Sequence, residues 1–303
     1  MLAKLRYEEL VASTTMFLVD EALNDKYNKE IQEKSEVLGS KLARINSMEG
    51  LKDYILSDTD ALENIICLLN ISTEKFKRII SMIRLGKGYT FSSEWDARRT
   101  RAFMLEKPDF MDEICKLLLE GAGLKRYQEL IPAFFLENFK IDAEVIGRLA
   151  IPGMLRSLIK KQLEPTFNSD MANRFMGIVK EELQKICESK GLRLIEQFQY
   201  PGIVRPVNFA IAVDNIPKMV VDTNYSITTG SPQTNWRRQV ETIYKLGRDK
   251  QGMQDAFTYV TILDGAGWVG RQSDMLPVYQ SCDFCLNMNH IADLDKIVSQ
   301  VFH

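Results

Sequence analysis

The chain has 303 residues, 45% hydrophobic and 26% charged, ordinary usage for a globular protein with one large core or two of common size. A formal net charge of −2 excludes a protein that is basic all over, so any contact with nucleic acid must come from a local patch. Five scattered cysteines are an odd number and needless as staples in so long a chain, which points to a reducing cytosol, and no apolar run approaches the ~20 residues that span a bilayer.

The opening stretch MLAKLRYEELVASTTMFLVDEALND sets Glu8, Glu9 and Asp20 among its apolar residues; it reads as an amphipathic helix, not a signal peptide. From residue 3 to about 163 the apolar residues recur at helical spacing. The pattern predicts separate helices in ALENIICLLN, TEKFKRIISMIR, DFMDEICKLLLEGAG, LKRYQELIPAFFLENF and DAEVIGRLAIPGMLRSLIKKQLEP, an all-α domain over 1–165. Thr73, Ser93 and Asp142 stand where helix caps are wanted, and Ser93 with Asp96 has the spacing of a capping box.

LENIICLLNISTEKFKRIISMIRLGKG reads as two helices around a turn at NIST, the second bearing Lys75, Lys77, Arg78 and Arg84. Helix-turn-helix proteins lay such a second helix in the major groove of double-stranded DNA. Between 73 and 107, nine basic residues (75, 77, 78, 84, 87, 98, 99, 101, 107) face four acids (74, 94, 96, 106). Arg98, Arg99 and Arg101 lie close to Trp95 in EWDARRTRAF. This is the best candidate phosphate-binding surface; the alternative is a helical hairpin with a solvated basic face.

After Pro165 the texture changes. A helix over about 171–189 leads into the β-like runs LRLIEQFQ, VNFAIAV and KMVVDTNY; a helix over about 234–248, the strand FTYVTIL, a short helix after Gly270, the strand DFCLNMN and the helix ADLDKIVSQVF follow. The order α-β-β-β-α-β-α-β-α over 166–303 implies a mixed sheet covered by helices, with an antiparallel hairpin at its heart. The fold class is therefore α+β, with an all-helical N-terminal part.

In that hairpin, RPVNFAIAVDNIPKMVVDTNYSITTGS, alternation puts Asn208 on a face with Ala210 and Ala212, and Asp222 on a face with Val220 and Asn224. A turn at DNIP pairs 208 roughly with 223 and brings Asn208, Asp222 and Asn224 within cross-strand reach. A polar strand end meeting water accounts for the same spacing.

These residues also resemble a family. Pro-x-acid at the start of one arm and acid-x-polar at the end of the next is the pattern of the PD-(D/E)XK nuclease superfamily, and ILDGAGWVGRQSDM is similar to the Asp-Gly-x-Gly-Trp block of DpnII-like type II restriction endonucleases. In that group acid-x-Lys becomes acid-x-Asn before an aromatic and a Gly/Ser-rich turn, as in VDTNYSITTGS. The resemblance covers 166–303 and implies magnesium-dependent hydrolysis of DNA phosphodiesters. It makes Asp222 a metal ligand together with the carbonyl of Thr223, puts Asn224 at the usual lysine position, and offers Glu182 as the helix acid and Arg237 or Arg238 as a cation. Where the family has its metal-binding aspartate this chain has Asn208, a neutral amide and a poor substitute for a carboxylate. The implied activity is accordingly weak or absent, with a DNA-binding protein lacking catalysis as the alternative. A palindromic target would favour a homodimer.

Two further motifs carry competing readings. DGAGWVG satisfies a dinucleotide-binding Gly-x-Gly-x-x-Gly, yet RQSDMLPVYQ after it is short and holds Pro277, so a strand-to-helix turn or the nuclease block is expected. Cys282 and Cys285, with His290 near and His303 as the other histidine, fall short of four zinc ligands. Placed on one strand, the two cysteines are expected on opposite faces as packed core thiols.

Overall fold

The computed structural model describes residues 2–42, 44–149, 151, 153–200, 203, 205–214, 216–253 and 256–302. Its helices are α1 (Tyr7–Ala12), α2 (Glu21–Leu42), α3 (Met48–Ser57), α4 (Ala61–Leu68), α5 (Thr73–Gly86), α6 (Ala97–Glu106), α7 (Pro108–Glu120), α8 (Lys125–Gln128), α9 (Ala133–Leu136), α10 (Ala143–Leu149), α11 (Met154–Lys190), α12 (Ser231–Asp249), α13 (Ala266–Val269), α14 (Gln272–Gln280) and α15 (Asp293–Phe302). The strands are β1 (Arg193–Phe198), β2 (Val207–Val213), β3 (Ile216–Tyr225), β4 (Thr258–Asp264) and β5 (Phe284–Leu286). This is an α+β fold with a helical N-terminal part and a five-stranded mixed sheet. Among the described residues no helix is long and apolar enough to cross a membrane.

Two compact units divide the chain: 22–165, and 1–21 together with 166–303. In the helical unit the caps lie close to the expected positions. Ser72 caps α5, accepting from Lys75 N at 3.2 Å, one residue before Thr73. Asp96 caps α6, accepting from Arg99 N at 2.8 Å, in place of Ser93, and Asp142 accepts from Val145 N at 3.0 Å. LKRYQELIPAFFLENF does not form one helix; it breaks into α8 and α9 at Pro132, which lacks an N–H and forces Ile131 out of helical geometry. Conversely, α11 runs through Pro165, where a stop was expected. Ile159, Leu163, Met171, Phe175, Val179, Leu183 and Ile186 are buried at spacings that keep helical phase on both sides, and their burial outweighs the ~3 kcal/mol that an interior proline costs.

In the sheet unit β1, β2 and β3 run antiparallel in sequence, and β4 and β5 continue parallel to β3. The long connection needed between parallel neighbours is supplied by α12. One face is covered by a core in which Leu10, Val207, Val220, Trp236, Val240, Tyr259, Leu263 and Trp268 are buried together. On the other side of β3 the rings of Phe175 in α11 and Tyr225 lie 5.5 Å apart.

The first twenty-one residues belong to this unit, not to the helical half. Leu10 is fully buried in the core, and the segment after α1 is stitched to the sheet: Gly265 N donates to Thr15 O (3.2 Å), Ala266 N to Met16 O (2.9 Å) and Leu18 N to Tyr225 Oη (2.8 Å).

Candidate functional site

The hairpin closes at Val213↔Ile216, tighter than a DNIP turn, whose Asn215 lies outside the described residues. A one-residue irregularity between Ile211 and Ala212 then sets Phe209 opposite Val221, so the register puts 208 against 222 and not 223. Towards its open end the ladder stops at that pair. The β1 pairing likewise passes from Glu196↔Phe209 to Phe198↔Val207, skipping Asn208, and Gln197 adopts a left-handed φ of 48°.

The register of β1 against β2 is the same on both sides of this gap, so no residue is inserted, yet the alternation of side chains along β2 changes by one there. Val207 joins the core beneath α12 with Val220. The Asn208 side chain turns the other way: its Oδ1 accepts from Thr223 N at 2.8 Å and Thr223 Oγ1 at 3.3 Å, and its Nδ2 approaches Met176 Sδ of α11 at 3.5 Å. The amide thus replaces the backbone bond that the parted strands no longer make. Alternation alone put Asn208 on one face with Asp222; the break in alternation separates their side chains, although Asn208 N still donates to Asp222 Oδ1 at 3.1 Å.

Asp222 is fully buried. Oδ1 accepts from Arg205 Nη1 (3.1 Å) as well as Asn208 N, and Oδ2 accepts from Arg205 Nη2 (2.7 Å) and Tyr259 Oη (2.9 Å). Burial, reinforced by this carboxylate, pushes the Tyr259 phenol well above its ordinary value, so it stays a donor. Four donors fill the roughly four acceptor sites of a carboxylate, and the bidentate guanidinium balances its charge. Arg205, oriented by Gln239 of α12 and its own bond to Pro206 O, is the residue that sequence reasoning missed. The signal was present: an acid in the middle of an apolar strand demands a cation within reach.

Magnesium takes hard, preferably anionic, oxygens. Asp222 has no acceptor site left, the Asn208 amide oxygen already receives two donors from Thr223, and among the described residues no three His, Cys, Asp or Glu gather as a metal site. The ion implied by the resemblance does not fit these residues as they stand. Glu182 pairs with Lys185 on its own helix at 3.9 Å. Met176, the α11 residue that meets Asn208, lies six positions earlier, about 9 Å along the axis.

Asn224 shares the Asp222 face and accepts from Trp268 Nε1 at 3.1 Å. Trp268 belongs to the Asp-Gly-x-Gly-Trp block, which here packs against the loop after β3. Gly267 N donates to Ser226 O at 2.8 Å and Ser226 N to Asp264 O at 3.0 Å. A Cβ on Gly265, whose φ is 103°, would lie 2.3 Å from Ser226 O, and one on Gly267 2.3 Å from Thr228 O. Both glycines serve backbone contact, and the four-residue α13 that follows is too short for a dinucleotide site.

The expected basic residues are largely engaged within the protein. Arg237 pairs with buried Asp274 at 3.0 Å, while Arg238 is exposed. Lys77 pairs with Glu74, Arg78 with Glu74 and Glu94, and Arg98 with Asp60 and Glu63. Arg101 donates to Ile55 O and Leu56 O at the end of α3. Arg99 reaches Ser93 Oγ and lies over the Trp95 ring, and Lys75 lies over Phe135, 5.5 Å from its centroid. Arg84, counted in the basic patch, is a core residue: it is 1% exposed, stacks 3.1 Å from the Trp95 centroid and donates to Ser93 O and Thr90 O. Comparison with family models, curated proteins and solved structures finds no match to the chain.

Proposed function

We propose that the chain is a DNA-acting protein of the PD-(D/E)XK restriction type whose hydrolytic centre, at the open end of the β2–β3 hairpin, is disarmed in this sequence. The observation that carries this reading is the sheet. A helix leads into an antiparallel three-stranded meander, and β3, with Asp222 and Asn224 at its end, pairs in parallel with β4, which α12 supplies. The polar residues sit where the hairpin strands part at Asn208. Arg205 occupies the carboxylate that a divalent ion would need. That saturation favours a second reading, a DNA-binding protein that keeps the nuclease-like sheet only as a scaffold.

Substituting Asp222 is a poor test, because stranding Arg205 in the interior costs about 3–5 kcal/mol. Asn208→Asp adds an anionic oxygen at the parted strands. Cleavage of a mixed-sequence double-stranded DNA pool with magnesium is measured beside binding by mobility shift, in the parent, in Asn208→Asp, and in Asn208→Asp with Arg205→Lys, which keeps a cation beside buried Asp222 while giving up the bidentate pairing. Binding by all three with magnesium-dependent cutting only in the substituted proteins is the expected result. Binding without cutting in any of them establishes the scaffold reading; neither binding nor cutting overturns both.

A further inference from the structure

Cys282 and Cys285 do not lie on opposite faces of a strand. β5 begins at Phe284, so Cys282 belongs to the turn after α14, and the turn folds its side chain back towards Cys285. Thr261 of β4, the register neighbour of Cys285, has its Oγ1 3.2 Å from Cys282 Sγ and 3.3 Å from Cys285 Sγ. One hydroxyl hydrogen cannot serve both sulfurs; one sulfur accepts from Thr261 and the other must donate its S–H.

The two positions are electrostatically unequal. Lys4, arriving from the N-terminal segment, donates its ammonium to Tyr279 O and Cys282 O and lies over the Tyr279 ring, 4.4 Å from the centroid. Burial pushes the Cys282 thiol up, but hydrogen bonding with Cys285 and Thr261 together with the Lys4 charge outweighs it and leaves the thiol below its ordinary value. For Cys285 burial dominates, and the neighbouring Cys282 adds to it, so its thiol is held well above. A thiolate-prone sulfur beside a protonated partner is the arrangement in which the first attacks an oxidant and the second resolves the product. His303, the chain's other histidine, lies outside the described residues, and a zinc reading gains no further ligand from this turn.

We propose that Cys282 and Cys285 form an oxidisable dithiol that a peroxide converts to a disulfide. The Cys282 thiolate attacks one peroxide oxygen, the O–O bond breaks, and the departing hydroxide takes the proton that Cys282 gave up, leaving a sulfenic acid and one water. The Cys285 sulfur then attacks the Cys282 sulfur; the S–S bond forms, the S–O bond breaks, and the hydroxide leaves with the Cys285 proton as a second water. Two thiols are oxidised and one peroxide is reduced. Both sulfurs are nearly inaccessible in the closed structure, 2% and 0% exposed at the residue level. Lys4, Asp283 of the turn and Phe284 at the start of β5 line a cavity of about 580 Å³, and this is the side from which the oxidant approaches.

The full chain is treated with hydrogen peroxide, denatured, alkylated and mapped by mass spectrometry, before and after dithiothreitol. The expected result is loss of two of the five alkylatable thiols and a peptide joining 282 to 285 that is two hydrogens lighter and restored by the reductant. In Cys285→Ser the expected product is a sulfenic acid at 282 that dimedone traps. All five thiols remaining alkylatable, or Cys67, Cys115 or Cys187 oxidising ahead of this pair, overturns the proposal. The mapping of the unsubstituted chain decides it even where Cys285→Ser does not fold.

Discussion

Asp264 shows how a single buried side chain sets a pH response. Burial pushes its carboxyl up to about 6, against hydrogen bonds donated by Met288 N, Thr15 N and Gly265 N. In the unfolded chain an aspartate titrates near ~3.9, so between these values the native state binds more protons than the unfolded state. Stability from this group is therefore greatest below about pH 4 and falls as pH rises to about 6, by roughly 3 kcal/mol in all. Paired carboxylates such as Asp58, whose own burial is outweighed by Lys41 and a backbone donor, slope the other way, so the comparison must isolate the residue. Urea midpoints measured from pH 4 to pH 7 should lose this downward component in Asp264→Asn; an unchanged pH profile in the variant counts against it.

At the scale of elements, the turn from β4 into α13 and the break in alternation at Asn208 are set by backbone contact. Gly265 combines a left-handed φ with a Cβ position 2.3 Å from the Ser226 carbonyl oxygen, so Gly265→Ala meets both strain and clash. A loss of about 3 kcal/mol or more is expected, read as a lower thermal midpoint, whereas Gly177→Ala, with open space at its Cβ on α11, should be neutral or slightly stabilising. The glycines of this block were legible as a turn, because strand, Asp-Gly and a short proline-containing run are local signals. The break at Asn208 was not. From Phe209 onward β2 is a plain apolar run, and nothing in its residues shows that β1 and β3 both lose their pairing at 208; that depends on Gln197, eleven residues earlier in sequence.

For the whole molecule, the local excess of basic residues in the helical unit is smaller in effect than in composition. Arg84 is in the core, and Lys77, Arg78 and Arg98 face carboxylates. Exposed ion pairs of this kind contribute little to stability, and they also lower the field available to a phosphate. Lys75, at the start of α5 and set over Phe135, is the sharper test of the proposed DNA contact. Lys75→Glu should weaken association about tenfold at low salt and reduce the slope of log affinity against log salt by about one. A salt dependence identical to that of the parent would remove α5 from the proposed interface.

The sequence by itself determined the helical first part, the switch to strands after Pro165 and the mixed character of the sheet, because hydrophobic period and the order of elements are properties of neighbouring residues. The tertiary structure decided the rest: the allegiance of residues 1–21 to the sheet, the ion pair that closes Asp222, the turning of Asn208 to the other side, and the meeting of two thiols at Thr261. Each of these depends on a local break in strand alternation or on groups brought together from distant parts of the chain. A shift of one residue reverses the face of a side chain without altering the periodicity from which the strand was read.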